Sequence, residues 1–478
     1  MKKNTDYNKS LVWIIAIVAA TGGLLFGFDI GVISGAIPYI QEKFSIDNGW
    51  IEIVTTSGLA GAVFGAMFCG RLSDILGRKK VILFSAIIFA IGAIWSGSAD
   101  SVHELIIARI FLGLAIGISS FAVPLYIAEI SPTRIRGKLV SMFQLLVSAG
   151  VLMSYFSDLA FALPEGHPEY NECWRPMFYV GAVPAFILFT GMLYLPETPR
   201  WLISQGRETQ CREVLQKVEE QDLIEDVILK MREEIQQDSG KWTAIFSPWL
   251  RTALIIGIGI MFFQQFTGIN TIIYYSPKIF LMAGFNGVQS AIMGSVLVGV
   301  ILVTFTILSL FMIDKLGRRK LFFIGLSGMT LMLFALAVCF LLYHSLGTSI
   351  SWLSMILVLL YISFFAMSLG PLGWLIISEV FPLKVRGIGT SIGSLSCWVF
   401  NGVVAFTFFK IVKGLTIGGS EIVLNGENFG NPAGAFLLYA IIGVLGLVWG
   451  FYYLPETKGK TLEEIEGHWR NHKSPREL

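Results

Sequence analysis

Charge is scarce in this chain. Only 14% of its 478 residues are Asp, Glu, Lys or Arg, where a water-soluble domain carries roughly 25%. There is too little polar surface to enclose a core in water, so a soluble globular fold is excluded. Cysteine is scarce as well. Cys69, Cys173, Cys211, Cys339 and Cys397 stand far apart without a CxxC pair, and the five histidines add no metal-ligand spacing. They read as ordinary buried thiols, and neither a metal nor a cofactor is expected. A nucleophile–base set is missing too. The stretch KGKT at 458–461 has Leu454 where a phosphate loop needs glycine, so no enzyme is expected. A net charge of +2 gives no reason to expect a nucleic-acid partner.

What is abundant is apolar: 54% of residues, with a mean hydropathy of +0.70. The apolar residues fall into blocks at 11–40, 52–72, 81–99, 104–128, 138–160, 175–195, 250–282, 288–313, 320–343, 352–378, 387–412 and 433–454. Each is close to the ~20 residues a helix needs to cross a bilayer, where no water satisfies a loop or strand edge. They are numbered spans 1 to 12, and the 50 glycines suit their close approach. The expectation is an all-α membrane protein. The first block follows Met1-Lys2-Lys3 but runs on to Pro38, longer than a signal-peptide core, so it is read as an uncleaved span.

Basic residues mark one side. Arg71, Arg78, Lys79, Lys80, Arg134, Arg136, Lys138, Lys315, Arg318, Arg319, Lys320, Lys384 and Arg386 lie in loops of one set. The other set holds little beyond Lys43, Arg175, Lys410 and Lys413. The basic loops are expected in the cytoplasm, together with both termini. Residues 199–247 differ in kind. They are dense in charge, with apolar residues three and four apart such as Val214, Leu215 and Val218. That spacing predicts short amphipathic helices joining two halves; the alternative is a solvated linker. The expected units are an N-terminal six-helix bundle (1–198), the linker (199–247), a C-terminal bundle (248–456) and a cytoplasmic tail (457–478).

Repetition supports the two halves. AIPYI around Pro38 is answered by YSPKI around Pro277, and GRLSDILGRKK (70–80) by FMIDKLGRRK (311–320). IAEISPTRIRG (127–137) is answered by ISEVFPLKVRG (377–387), and LPETPR (195–200) by LPETKG (454–459). Four pairs in the same order predict two parallel repeats with a substrate path between them.

These motifs resemble the major facilitator superfamily. PETPRWL after span 6, PETKGKTLEEIE after span 12, RIRG, QQFTGINTIIYYSP in span 7 and GPLGWLIISEVFP in span 10 narrow the resemblance to its sugar porters. It covers essentially the whole chain and is nearest to bacterial proton-coupled pentose and hexose symporters, relatives of the animal glucose facilitators. It implies transport of a monosaccharide, coupled to protons, by a protein working as a monomer in the cytoplasmic membrane. It also implies a cytoplasmic charge latch of Asp74 with Arg78, Asp314 with Arg318, Glu129 with Arg136 and Glu379 with Arg386, joined by Glu197 and Glu456. The bland alternative is a set of topology signals and solvated caps, since exposed ion pairs are worth little.

Ionisable residues inside the apolar blocks read as few. Asp29 in span 1 and Arg109 in span 4 stand out, and their depths are compatible with a buried pair. An arginine favours the charged carboxylate and burial the neutral one, so moving Arg109 relative to Asp29 changes proton affinity. A static neutralising pair is the alternative. In the resemblance Asp29 matches the acid of proton-driven porters. For a neutral polyol the candidate partners are Gln144, Gln264, Gln265, Asn270, Trp374, Trp398 and Asn401, with Phe26 as an apolar neighbour. A single amide of this kind also serves as interhelical glue. The TGIN stretch around Gly268 is expected to let span 7 unwind and Asn270 turn inward. The resemblance makes Tyr274, Tyr275, Gly370 and Pro371 gating residues. Leu302 and Cys397 depart from the family pattern, and both are expected to remove hydrogen-bonding capacity from the pocket.

Passive uniport and a sugar sensor are the rival readings. An organic-ion carrier is disfavoured because spans 7 and 10 show no further charge facing the path. Counted from the two prolines, Gly268 occupies the place of Asp29, so the halves repeat in their loops and differ in their cores.

Overall fold

Twelve helices long and apolar enough to cross a bilayer run through the described residues. In a computed structural model these are residues 9–132, 135–237, 245–347, 349–382, 385–417, 422–424, 427–428, 430–460, 462–471 and 473–478. Side chains at 234–237, 314, 386, 423–424, 427–428 and 462–463 lie outside the described part. The first six spans are Lys9–Phe44, Asn48–Leu76, Arg78–Ser98, Val102–Ile130, Arg136–Phe161 and Tyr170–Tyr194. The second six are Pro248–Met282, Val288–Ile313, Arg318–Leu341, Ser349–Glu379, Gly387–Gly414 and Ala433–Tyr453. Every apolar block in the sequence is one of these helices.

Packing repeats between the halves. Span 1 lies against span 5, span 2 against 4, span 3 against 4 and 6; likewise 7 against 11, 8 against 10, and 9 against 10 and 12. The halves meet where span 5 packs on span 8 and span 2 on span 11, with span 1 beside span 7. Small residues permit this closeness. At Gly113 an added Cβ would stand 1.8 Å from the Gly58 carbonyl oxygen, so spans 2 and 4 touch backbone to backbone.

Between the halves, the linker forms helices at Pro199–Ser204, Glu208–Val218 and Ile224–Gln237. Their apolar faces bury Trp201, Leu202, Val214, Leu215, Val218 and Ile228, as the three-and-four spacing requires. Trp201 pins the first of them by donating from its indole N–H to the Asp74 carbonyl, 2.9 Å away. A terminal helix, Leu462–Arg470, is pinned likewise under the second half, the Trp469 indole donating to the Val380 carbonyl at 3.0 Å. The extended structure among the described residues is one two-residue hairpin, Val423–Leu424 with Glu427–Asn428, between spans 11 and 12.

Candidate functional site

Asp29 and Arg109 meet in the middle of the first half. Both are buried, at 5% and 2% exposure, and the Arg109 guanidinium donates from Nη1 to Asp29 Oδ1. Arg109 Nε makes no hydrogen bond, and its guanidinium stands 5.8 Å from the Phe178 ring centre. The pair is bonded but not saturated. Span 7 of the other half carries the buried Tyr274 hydroxyl. That hydroxyl in turn accepts from Asn401 Nδ2 at 3.2 Å.

The second half contributes amides instead of charges. Span 7 stops at Phe266 and restarts at Ile269, with Gly268 between them at φ +86°. That left-handed geometry belongs to glycine, and a Cβ there would also press within 2.4 Å of the Tyr439 ring. Span 10 is broken as well, between Met367 and Leu369. The two breaks serve one another. Gln264 Nε2 donates to the carbonyls of Leu369 (2.8 Å) and Gly370 (3.2 Å), while the Tyr361 hydroxyl of span 10 donates to the Thr267 carbonyl at 2.9 Å. In a bilayer core each carbonyl released from a helix needs such a partner.

From Gln264 a chain of amides crosses the pocket. Gln265 Nε2 donates to Gln264 Oε1 (3.1 Å) and Cys397 Sγ (3.1 Å), and Asn270 Nδ2 donates to Gln265 Oε1 at 2.5 Å. Cys397 therefore takes part in the chain through its sulfur, a soft and weak acceptor; hydrogen bonding there is weakened and not removed. Leu302 is buried and apolar, as the sequence states. Phe26 faces Trp398 with ring centres 4.9 Å apart. Two buried atoms of this group have no partner, Trp398 Nε1 and Asn401 Oδ1. One donor and one acceptor beside an aromatic face would suit a hydroxylated, uncharged molecule. Gln144, Trp374 and Pro371 are half-buried, and Gln144 and Trp374 lie toward the basic-loop face.

The opposite end is shut. Tyr274 and Tyr275 are buried, and Tyr275 donates to the Ala405 carbonyl at 3.1 Å while stacking on Phe408. Glu52 of span 2 is 1% exposed, pairs with Lys410 of span 11 at 2.7 Å, and accepts the Phe409 amide at 2.8 Å. Lys278 of span 7 is also buried and donates to Gln41 of span 1. Spans therefore hold more ionisable residues than the sequence suggested: Glu52, Asp158 and Lys278 join Asp29 and Arg109. Span 7 does carry a buried charge, though it stands at the closed end and not beside the amides. The available signal was the lone acid or base inside each block, in WIEIV, YFSDLAF and YSPKIF.

On the basic face Asp74 pairs with Arg78 as expected, while Glu129 pairs differently. Arg78 joins Glu129 at 3.0 Å and Asp74 at 3.2 Å, and Arg318 joins Glu379 at 2.8 Å. Arg136 is exposed, and its charge acts on Glu219 of the linker. The reason is packing, since span 3 brings Arg78 buried against span 4. Glu197 accepts the backbone amides of Arg78 and Lys79, each at 3.1 Å, and Glu456 those of Arg318 (2.9 Å) and Arg319 (3.1 Å). Each carboxylate caps the start of a helix, where free N–H groups and the dipole favour an anion. Burial pushes the Glu197 carboxyl above its ordinary range, against the pull of those amides. All these bonds lie within one half. The side chains of Asp314 and Arg386 lie outside the described residues.

Comparison with known proteins adds the following. The family model described as "Sugar (and other) transporter" matches residues 15–469. The glucose transporter GlcP of Staphylococcus epidermidis is 38% identical over 459 residues, covering 96% of this chain and 97% of its own. The arabinose-proton symporter of Escherichia coli is 36% identical over 458 residues, covering 95% and 92%. Among solved structures, the proton:xylose symporter XylE bound to 6-bromo-6-deoxy-D-glucose superposes with a TM-score of 0.82 at 31% identity, over 97% of this chain and all of that one.

Proposed function

The chain belongs to the sugar (and other) transporter family, and on that footing we propose that it imports a monosaccharide by proton symport, exposing one central site alternately to the two sides of the membrane. No catalytic activity is assigned to it. The basic face lies in the cytoplasm with both termini, the membrane is the bacterial cytoplasmic one, and the working unit is the monomer. With the far end shut and Gln144 and Trp374 half-buried toward the basic face, the conformation is the inward-facing one.

The observation that carries this reading is span 1, which holds Asp29 against Arg109 and, one turn earlier, packs Phe26 on Trp398 of the sugar socket. A proton arriving at Asp29 leaves Arg109 without its counter-ion. An uncompensated buried charge costs roughly 3–5 kcal/mol. About 5.5 kcal/mol suffices to carry a two-state equilibrium from 1:99 to 99:1. Protonation at this one site is therefore large enough to reverse the balance between the two orientations, though short of that full swing. Sugar hydroxyls satisfy Trp398 Nε1 and Asn401 Oδ1, and the Phe26–Trp398 face covers the sugar's C–H surface. Coupling follows because span 1 belongs to both sites.

The test is Asp29→Asn in vesicles with an imposed pH gradient and a panel of labelled sugars. Uphill accumulation is expected to vanish while sugar-for-sugar counterflow remains. A variant that still concentrates sugar overturns the reading.

A further inference from the structure

Asp158 has no part in the site described so far. It lies on span 5, fully buried, and neither of its carboxyl oxygens makes a hydrogen bond. The carboxyl rests against span 1 at Gly35, whose backbone amide is the polar group beside it; a Cβ there would come within 2.4 Å of Asp158 Oδ2. Both flanks of this contact are tied across the halves. Tyr155, three residues earlier and on the same helix face, donates to the Ile273 carbonyl of span 7 at 2.8 Å. Ser34, next to Gly35, lies 3.4 Å from Ser276 Oγ, which bonds Ser295 at 2.7 Å. Asp158 is thus walled in by the seam that shuts the far end.

The surrounding ionisable groups are engaged elsewhere. On span 1, Asp29 is paired with Arg109 of span 4, and Tyr39 donates to the Leu163 carbonyl. Cys173, at the start of span 6, stands beside Tyr39, and Arg175 is held by Glu172 and Asp100. Span 8 has no ionisable residue between Val288 and Leu302. An ionised carboxylate without a counter-ion, with one backbone amide beside it, is far costlier in an apolar interior than the neutral acid. The neutral acid forgoes only ordinary hydrogen bonds, about 1–3 kcal/mol.

We propose that Asp158 is a second proton-binding site of the transport cycle, which takes up a proton when the far-end seam closes over it and gives the proton to water when the seam parts. This rests on the two-sided carrier reading, but not on Asp29 being the coupling acid. Closure then binds one proton more than opening, so acid on the far side favours the shut state even without sugar.

The experiment uses the full chain in vesicles without sugar, spin-labelled on the far rim through Glu42→Cys and Asn286→Cys, both at exposed positions. The shut-to-open ratio is expected to rise about tenfold per unit fall in pH within the titration window, as one-proton linkage requires. The same slope is expected in Asp29→Asn, so the two acids can fail independently. Asp158→Asn should abolish the slope and Asp158→Glu restore it. An unchanged slope in Asp158→Asn, or none in the parent, overturns the proposal. If Asp158→Asn does not fold, infrared spectra of Asp29→Asn at neutral pH decide. A protonated-carboxyl band supports the assignment, and its absence overturns it.

Discussion

Span 1 and span 7 occupy matching places in the two repeats and solve opposite problems. Span 1 runs unbroken from Lys9 to Phe44 with Pro38 inside it, and spends its middle on a charged group, Asp29. Span 7 gives up its helix at the corresponding residue, Gly268, and spends its middle on amides. In its middle span 1 is continuous and ionic, and span 7 interrupted and neutral. Charge is tolerated in the membrane only where a partner is fixed, and a rigid helix fixes it well. A sugar needs several weak donors and acceptors converging on one place, which a bent backbone supplies. The duplication fixes the frame, and the division of labour comes from the few positions at which the copies diverged.

The strongest way to break this comparison is Gly268→Ala. Positive φ costs a non-glycine residue roughly 1–2 kcal/mol, and overpacking against Tyr439 roughly 1–3 kcal/mol more. The variant should lose both stability and sugar binding, whereas Asp29→Asn should keep its fold and counterflow. Thermal unfolding beside counterflow tells them apart, and equal damage from both would erase the distinction. A narrower cut is Gln265→Leu. It strips partners from Asn270, Gln264 and Cys397, leaving buried polar groups unmet at about 1–3 kcal/mol. Sugar affinity should fall about 5- to 150-fold while the pH dependence of accumulation stays. Loss of that pH dependence would mean that the halves do not divide the work.

The smallest effect belongs to the linker, which packs on spans 1 and 4 of the first half. Hydrogen bonding from Arg212, aided by the Arg232 charge, holds the exposed Glu208 carboxyl below its ordinary range. Such a group adds stability above its unfolded pKa and loses it as pH falls through the lower, folded value. Protection of the linker from protease should therefore weaken slightly below about pH 4. Glu208→Gln should flatten that acid limb and change little at neutral pH. An unaltered acid limb would exclude Glu208 as its source.

Much of this was legible in the sequence. The apolar blocks fixed the spans, the repeated motifs fixed the two halves, and glycine in TGIN marked the break in span 7. The pocket amides stood out because a polar residue in an apolar run has few neighbours to hide among. What stayed hidden depends on contacts distant along the chain. Glu129 has Arg136 seven residues away, yet it chooses Arg78, fifty-one residues distant, because span 3 packs on span 4. Glu52 and Lys410 lie 358 residues apart in sequence and pair only because span 2 meets span 11. Asp158 reads as an ordinary residue near a span's end until span 1 is laid over it. Periodicity tells which face of a helix is apolar, and not what covers that face.

The reciprocal bonds between the broken spans have a mechanical consequence. Gln264 donates to two carbonyls of the first turn after the break in span 10, and Tyr361 to the Thr267 carbonyl at the break in span 7. Straightening either helix alone would pull these bonds apart, so neither has a soft bending mode of its own. The two behave as one jointed strut whose elbows flex together, and a force applied at one end of span 7 is felt at the break in span 10.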